Sequence, residues 1–323
     1  MHIACAANEA YLPHGAAMLL SLFEHNDPHS ITVHFLHADD LPLRERELLV
    51  DLVEGSGARI RLHDFSDESF AGLSSPPGVR PVMWYRTMLP ERLPELDRIL
   101  YLDVDMLVVD DLRPLWDEDL RSRVLAAVTN VTPRMHRAWP ETLGITDPQR
   151  YFNSGVMLMD LARMRADGAS ERLIGFGQGR DLKWWDQDAL NVIYGNERLP
   201  LHPRWNCMNS LFLLPEAREL FEPATIDEAR RNPAIVHFEG PGAAKPWHYL
   251  CKHPQRRDYL RLREASPWPL VDLEGRTAFN RLLRPLPMRA IVEVLGTRHR
   301  VQQRIRRLRR RAHRRLWREP GAS

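Results

Sequence analysis

A chain of 323 residues with 44% apolar and 27% charged side chains is long enough for one large α/β domain with an appendage, and its composition is that of an ordinary globular protein. No run approaches the ~18 to 20 apolar residues that span a bilayer, and the three cysteines, Cys5, Cys207 and Cys251, match neither a disulfide framework nor a metal-ligand spacing. The net charge of +2 is uneven: eleven Arg and no acid lie between Arg298 and Arg318, which leaves residues 1–297 at −8. These features exclude a membrane-spanning chain and a cysteine-stapled secreted domain. A reducing cytoplasm is expected, with no leader ahead of the first apolar strand.

Residues 3–7 read as a strand, followed by Asn8-Glu9-Ala10-Tyr11 and a helix on which Ala16, Leu19, Leu20 and Phe23 recur at helical spacing, Pro13 being tolerated in its first turn. A strand, tight turn and helix at the start of an α/β sheet is a common nucleotide seat. Without a Gly-rich loop this signal alone is weak, and packing of strand against helix is the better explanation of the small residues Ala6 and Ala7. Strands at 31–36 and near 60–62, with a helix from about 42 to 53 between them, indicate a largely parallel sheet. A helix is expected over 83–89. Arg86 lies inside it among apolar residues, and a buried Arg needs an anion, either a core carboxylate or a ligand phosphate.

The apolar run from Arg98 to Asp111 carries Asp103 and Asp105 one residue apart. In an extended segment such side chains point the same way, and two converging anions at the end of a buried strand call for a cation. Mg²⁺ or Mn²⁺ suits oxygen ligands and leaves coordination positions for a phosphate. A turn pair after Leu102 is the plainer alternative, although turn carboxylates usually sit among Gly, Pro and Ser. A strand at 124–128 precedes a Pro-rich insertion at 132–148, a candidate with Asn130 for shaping a binding mouth. Tyr151 to Ser154 reads as a polar turn feeding a strand through Met159, with Asn153 and Ser154 able to hold sugar hydroxyls or merely to close the turn. Asp186, Gln187 and Asp188 open a helix beside Trp184 and Trp185. A last strand at 235–236 ends in His237, with a Gly-rich loop and Lys245 beyond, residues that fit a metal ligand and a phosphate cradle.

Taken together, A-A-N-E-A-Y, the Tyr85-Arg86 pair, L-Y-L-D-V-D-M-L-V, Y-F-N-S-G-V-M-L-M, D-Q-D-A-L-N and H-F-x-G…K-P-W resemble glycosyltransferase family 8, the retaining nucleotide-sugar transferases, over residues 1–259. The resemblance implies a GT-A type α/β fold, a single domain with a mixed, mainly parallel sheet flanked by helices. It places Ala6, Ala7, Asn8 and Tyr11 against uridine, and Asp103, Val104 and Asp105 on the donor. Asp103, Asp105 and His237 would bind Mn²⁺, or Mg²⁺ in its place. Arg86, Gly240 and Lys245 would hold the donor phosphates, and Asn153, Ser154, Gly155, Asp186 and Gln187 would surround the donor sugar. Gln187 would lie nearest the anomeric carbon. Many bacterial members have Asp where this chain has Asn8, and the G-P-G-A-A-K loop is longer than the family's usual G-x-x-K.

Breaking a sugar–UDP bond is then mainly a matter of stabilising the leaving diphosphate. Retention through a covalent intermediate needs a carboxylate. An amide is a poor nucleophile, so Gln187 favours same-face attack, with Asp186 or Asp188 as nucleophile the alternative. The expected activity is hexose transfer from UDP-galactose or UDP-glucose to a glycan or glycolipid acceptor in lipopolysaccharide or other cell-surface polysaccharide synthesis. The rivals are a sugar nucleotidyltransferase, which needs a basic Gly-rich first loop, and a non-catalytic nucleotide-sugar sensor or scaffold.

The expected organisation is a catalytic domain at 1–260, a Pro-containing extension at 261–297 and a basic helical tail at 298–323. Val301, Ile305, Leu308, Ala312 and Leu316 would form one apolar stripe on an otherwise Arg-rich helix, which suits an anionic membrane surface. A frayed basic tail and nucleic-acid binding are the other readings of the pattern. The expected location is the inner face of the plasma membrane, peripherally attached, with no nucleic-acid partner.

Overall fold

The computed structural model describes residues 1–75, 79–270 and 272–295, so the basic tail expected at 298–323 lies outside the described residues. Strands β1 (His2–Ala6), β2 (Thr32–Ala38), β3 (Arg59–Phe65), β4 (Arg98–Leu102), β5 (Met106–Val108), β6 (Leu125–Thr129), β7 (Phe152–Asp160), β8 (Arg198–Pro200), β9 (Cys207–Met208) and β10 (Ile235–His237) form two sheets. The larger has the order β3-β2-β1-β4-β7-β6-β8 and the smaller β5-β10-β9. Parallel pairing of β1 with β2 and β4, of β2 with β3 and of β6 with β8 surrounds an antiparallel β7. The mixed, mainly parallel GT-A-like sheet expected from the sequence is therefore present.

Helices cover both faces, so β1 and β2 are buried on both sides. Ile3 and Cys5 join Val33, Phe35, Leu100 and Leu102 in one core, while Ala4 and Ala6 join Leu36, Ile99 and Tyr101 in the other. Helix α1 (Leu12–His25) begins with Pro13 in its first turn, and α2 (Leu43–Gly55) bridges β2 and β3. Near the other end, the helix Arg256–Ala265 passes through residue 260 and docks on α1: His14 Nδ1 is 2.6 Å from Tyr259 Oη, and Arg263 donates to Pro13 O at 2.9 Å. The expected boundary at 260 thus falls inside a helix. No helix among the described residues is long and apolar enough to cross a membrane.

Three local expectations are corrected. The apolar run around the paired Asp is two strands in different sheets, with β4 in the larger, β5 in the smaller and residues 103–105 crossing between them. Asn153 and Ser154 belong to β7 itself rather than to a turn before it, because Phe152 already pairs with Thr129. The segment expected as a helix over 83–89 is a 3₁₀ stretch, Val82–Met88, followed by a four-residue α turn. Pro90 follows this stretch and has no N–H to continue the ladder.

Candidate active site

The crossover from β4 to β5 positions the first two functional carboxylates. Asp103 N donates to Gly155 O on β7 at 2.8 Å, and Phe238 N, just past β10, donates to Asp105 O at 3.0 Å. Antiparallel pairing sets Met106 opposite His237, so β10 delivers an imidazole beside Asp105. Ligand atoms of Asp103, Asp105 and His237 all lie within 4.8 Å of one another. Two carboxylates and an imidazole are a donor set for Mn²⁺ or a similar divalent ion. The cradle is tight: a Cβ on Gly155 would meet His237 Cε1 at 2.7 Å and Asp103 Oδ2 at 2.8 Å. These residues fit a metal ion.

Cations crowd this anionic point. Lys245 Nζ pairs with Asp105 and donates to Phe238 O at 2.9 Å, so the longer G-P-G-A-A-K loop still brings the ammonium to the cluster. Burial opposes ionisation of Asp105, but Lys245 and His237 outweigh it and hold the carboxyl well below its usual range. Burial likewise opposes the charge on Lys245 and His237, and Asp105 outweighs it in both, raising their pKa values. Arg86 is 5% exposed and meets the first of the two anions proposed for it, the core carboxylate: it contacts Asp103 at 2.9 Å and Asp186 at 3.1 Å, and donates to Ser154 O at 2.7 Å.

Above the cluster lies a cleft of about 380 Å³ lined by Ala6, Ala7, Asn8, Tyr11, Arg86, Asp103, Val104, Asp105, Ser154, Asp186 and Gln187, together with Trp184 and Trp185. His237 and Lys245 reach it through Asp105. Gly240 is exposed at the turn beyond β10 with φ +90 and does not line it. Trp185 adopts φ +44, a conformation that costs a bulky residue roughly 1–3 kcal/mol. It turns the chain into the helix Trp185–Tyr194, whose first turn carries Asp186 and Gln187 to the cleft.

The three residues of D-Q-D differ in environment. Burial pushes the Asp186 carboxyl up to about 7, against the pull of Arg86. Its Oδ2 accepts no well-aligned hydrogen bond from the described residues. Gln187 Oε1 accepts from Ser154 N at 3.1 Å and Asn153 Nδ2 at 3.3 Å, and its Nε2 donates to Tyr151 Oη at 3.2 Å. Asp188 is fully buried and accepts from Tyr151 Oη at 2.5 Å, Trp139 Nε1 at 2.9 Å and the N–H groups of Lys183 and Trp184 at 2.9 and 3.0 Å. It does not line the cleft.

Behind Gln187 lies a row of amides, of which the sequence reading named Asn153 and Asn130 but missed Asn206. Asn153 Nδ2 is 3.2 Å from Asn130 Oδ1, Asn206 Nδ2 is 2.8 Å from Asn153 Oδ1, and Asn206 Oδ1 is 2.9 Å from His237 Nδ1. Asn206 stands in W-N-C with no local pattern to mark it; only the tertiary fold brings it to His237.

Fold and site together define a GT-A-like nucleotide-sugar transferase architecture. The profile of glycosyl transferase family 8 matches residues 2–251, and the chain belongs to that family. It is 30% identical over 287 residues to general stress protein A of Bacillus subtilis (strain 168), covering 87% of this chain and 98% of that protein. It is 28% identical over 228 residues to a lipopolysaccharide 1,2-glucosyltransferase of Escherichia coli (strain K12), covering 68% of this chain and 65% of the other. Among solved structures, the galactosyltransferase LgtC in complex with donor and acceptor sugar analogues superposes with a TM-score of 0.68 at 26% identity, covering 83% of this chain and 96% of that one. An active-site glutamine-to-glutamate mutant of LgtC gives 0.71.

Proposed function

We propose that this glycosyltransferase moves a hexose, galactose or glucose, from a UDP-sugar to a glycan or glycolipid acceptor with retention of configuration. The observation that carries the reading is the cluster Asp103, Asp105 and His237 at the floor of a cleft that also presents Asn8, Tyr11, Asp186 and Gln187. LgtC, whose structure holds donor and acceptor sugar analogues, supports the same class of substrates.

Mn²⁺ held by Asp103, Asp105 and His237, or Mg²⁺ in its place, would supply a Lewis acid for the diphosphate oxygens. Ala6, Ala7, Asn8 and Tyr11 seat the uridine, with Val104 beside it. Lys245 adds positive charge toward the departing phosphate from the Gly240 loop. Arg86 acts on the same charge while holding Asp103 and Asp186 in place. The Asp186 carboxyl, at the cleft, faces a hydroxyl of the donor sugar, and Asn153, Ser154 and Gly155 form the wall behind it.

As the sugar–phosphate bond breaks, the acceptor hydroxyl attacks the anomeric carbon from the face the diphosphate leaves, and its proton passes to the leaving phosphate oxygen. Gln187 is the group we place beside the positive anomeric carbon. Asp188, with four donors on its carboxylate, fits a scaffold better than a nucleophile.

The amphipathic pattern of the tail supports a peripheral site on an anionic membrane, where a glycolipid acceptor would be found and lipopolysaccharide or another surface glycan built. Removing residues 298–323 should abolish salt-sensitive binding to phosphatidylglycerol vesicles and spare donor hydrolysis. Vesicle binding that survives the deletion would place the contact elsewhere.

The test of the activity is UDP release from a panel of UDP-sugars with Mn²⁺ and with chelator, without acceptor. Metal-dependent hydrolysis of one sugar is expected and identifies the donor. A chain that binds no UDP in the presence of Mn²⁺ would overturn the reading.

A further inference from the structure

We infer that Asn206 is a positioning residue: held by the buried relay from β7 through Asn153, it fixes His237 in the tautomer that carries its proton on Nδ1 and turns the Nε2 lone pair toward Asp103 and Asp105. The purpose assigned to this relay rests on the metal reading above; its geometry does not.

The orientation of a side-chain amide is usually ambiguous, because its oxygen and nitrogen are nearly the same size. Here two backbone N–H groups remove the ambiguity, since a backbone N–H can only donate. Gly155 N–H points at Asn153 Oδ1 at 3.0 Å, which makes that atom an acceptor. Ser154 N–H points at Gln187 Oε1 at 3.1 Å, which makes that atom an acceptor too, so the Asn153 atom 3.3 Å from it must be the donor Nδ2. The two anchors act on opposite ends of Asn153 and give the same answer.

The consequence travels outward. Asn153 Oδ1 also faces Asn206 at 2.8 Å, so Asn206 presents Nδ2 there and turns its Oδ1 to His237 Nδ1 at 2.9 Å. An amide oxygen can only accept, so Nδ1 carries the proton. All members are sheltered: Asn206 is 0%, Asn153 8% and His237 3% exposed, and reversing one amide would set oxygen against oxygen in a place where water cannot compensate.

The alternative tautomer has a definite cost to the site. His237 Nε2 lies 3.3 Å from Asp105 Oδ1. With the proton on Nε2, the imidazole would donate to Asp105, and two ligand atoms would be spent on each other. Asn206 prevents this, as the outer hydrogen bond of a metal-bound histidine commonly does. Its three predecessors in the relay, Asn153, Ser154 and Gly155, lie in the Y-F-N-S-G motif. That motif therefore reaches the metal ligand from behind as well as lining the donor side.

The experiment is long-range ¹H–¹⁵N correlation on the metal-free full chain with ¹⁵N-labelled histidine at pH 9, together with Mn²⁺ titration followed by electron paramagnetic resonance. The wild-type chain should show the His237 proton on Nδ1. Asn206→Asp, which still accepts from Nδ1 but sets an oxygen against Asn153 Oδ1, should keep that tautomer at a cost in stability. Asn206→Ala should move the proton to Nε2 and weaken Mn²⁺ binding by ~10–100-fold. A wild-type proton on Nε2 overturns the inference even if both variants misfold. So does a folded Asn206→Ala chain with the wild-type tautomer and affinity. If the wild-type chain takes up no Mn²⁺, the metal reading falls, and the tautomer alone decides the relay.

Discussion

A methyl group on Gly155 would lie 2.7 Å from His237 Cε1 and 2.8 Å from both Asp103 Oδ2 and Met106 Cε. Backbone flexibility is not what this glycine supplies, since its φ is not in the left-handed region; it supplies room where β7 passes behind the carboxylate–imidazole cluster. Gly155→Ala should therefore push the ligands apart. We expect a loss of about 1–3 kcal/mol in urea unfolding from overpacking, with Mn²⁺ binding weakened in the same protein. Normal metal binding in the variant would show that the cluster can yield. Gln187→Ala makes a different prediction, because the amide lies at the cleft without touching Asp103, Asp105 or His237. Turnover should fall far more than UDP affinity, and equal losses would reduce Gln187 to a binding residue. Residues with a local signature, such as the spaced Asp of D-V-D or a histidine at a strand end, were legible in the sequence. Asn206 works through a contact 31 residues away and no local pattern records it, while Tyr151 stands in the Y-F-N-S-G motif but its tie to Gln187, 36 residues on, is not legible there.

At the scale of elements, the helix Trp185–Tyr194 shows why D-Q-D was only half legible. Read as acid, amide, acid, it gives both carboxylates equal claim to the chemistry. On a helix, however, residues two apart are turned by about 200° from each other, so one carboxylate at the cleft puts the other against the core. Asp186 faces the cleft, and Asp188 ties the loop at 183–184, the Trp139 segment and Tyr151 together. Asp188→Ala would leave these buried donors unmatched and should cost about 3 kcal/mol or more. Asp188→Asn, which keeps one acceptor oxygen, should cost less. Equal melting temperatures for wild type and Asp188→Ala would remove the scaffold role. The break between β4 and β5 was hidden for a related reason. The run from Ile99 to Val109 is apolar on both sides of the Asp pair, and hydrophobicity cannot say that its two halves belong to different sheets. The parallel order at the start of the chain was legible because strands and helices alternate there at regular spacing.

For the whole molecule, buried histidines set the response to acid. Burial lowers His14 and His34 to about 3 and His253 to about 4 from an ordinary 6.5. His14 stacks on Trp247 with ring centroids 3.5 Å apart, and His34 bridges His2 and His63 across three neighbouring strands at 3.0 and 3.1 Å. A depressed histidine stays neutral in the fold while the unfolded chain takes up its proton below 6.5. Its contribution is therefore complete above pH 6.5 and is lost as pH falls toward 3 to 4. Each such group changes stability by up to ~1.4 kcal/mol per pH unit inside that window. His237 and Asp186 act in the opposite direction, because their folded pKa values are raised and the fold binds their protons first. Below about pH 6 His237 is protonated in both states. Asp186, with Glu91 and Glu239 near the lower end, is then set against His14, His34 and His253 and the other lowered histidines, among them His2, His37, His63 and His248. Stability should fall by at least ~1.4 kcal/mol per pH unit between about pH 6 and 4.5. Urea unfolding at pH 7.5, 6, 5 and 4.5 should show this decline in the metal-free chain. His34→Gln, which keeps donors and acceptors for His2 and His63 but cannot titrate, should flatten the slope by ~1.4 kcal/mol per unit. A slope unchanged by that substitution would mean that His34 gains its proton in the fold as readily as in the unfolded chain.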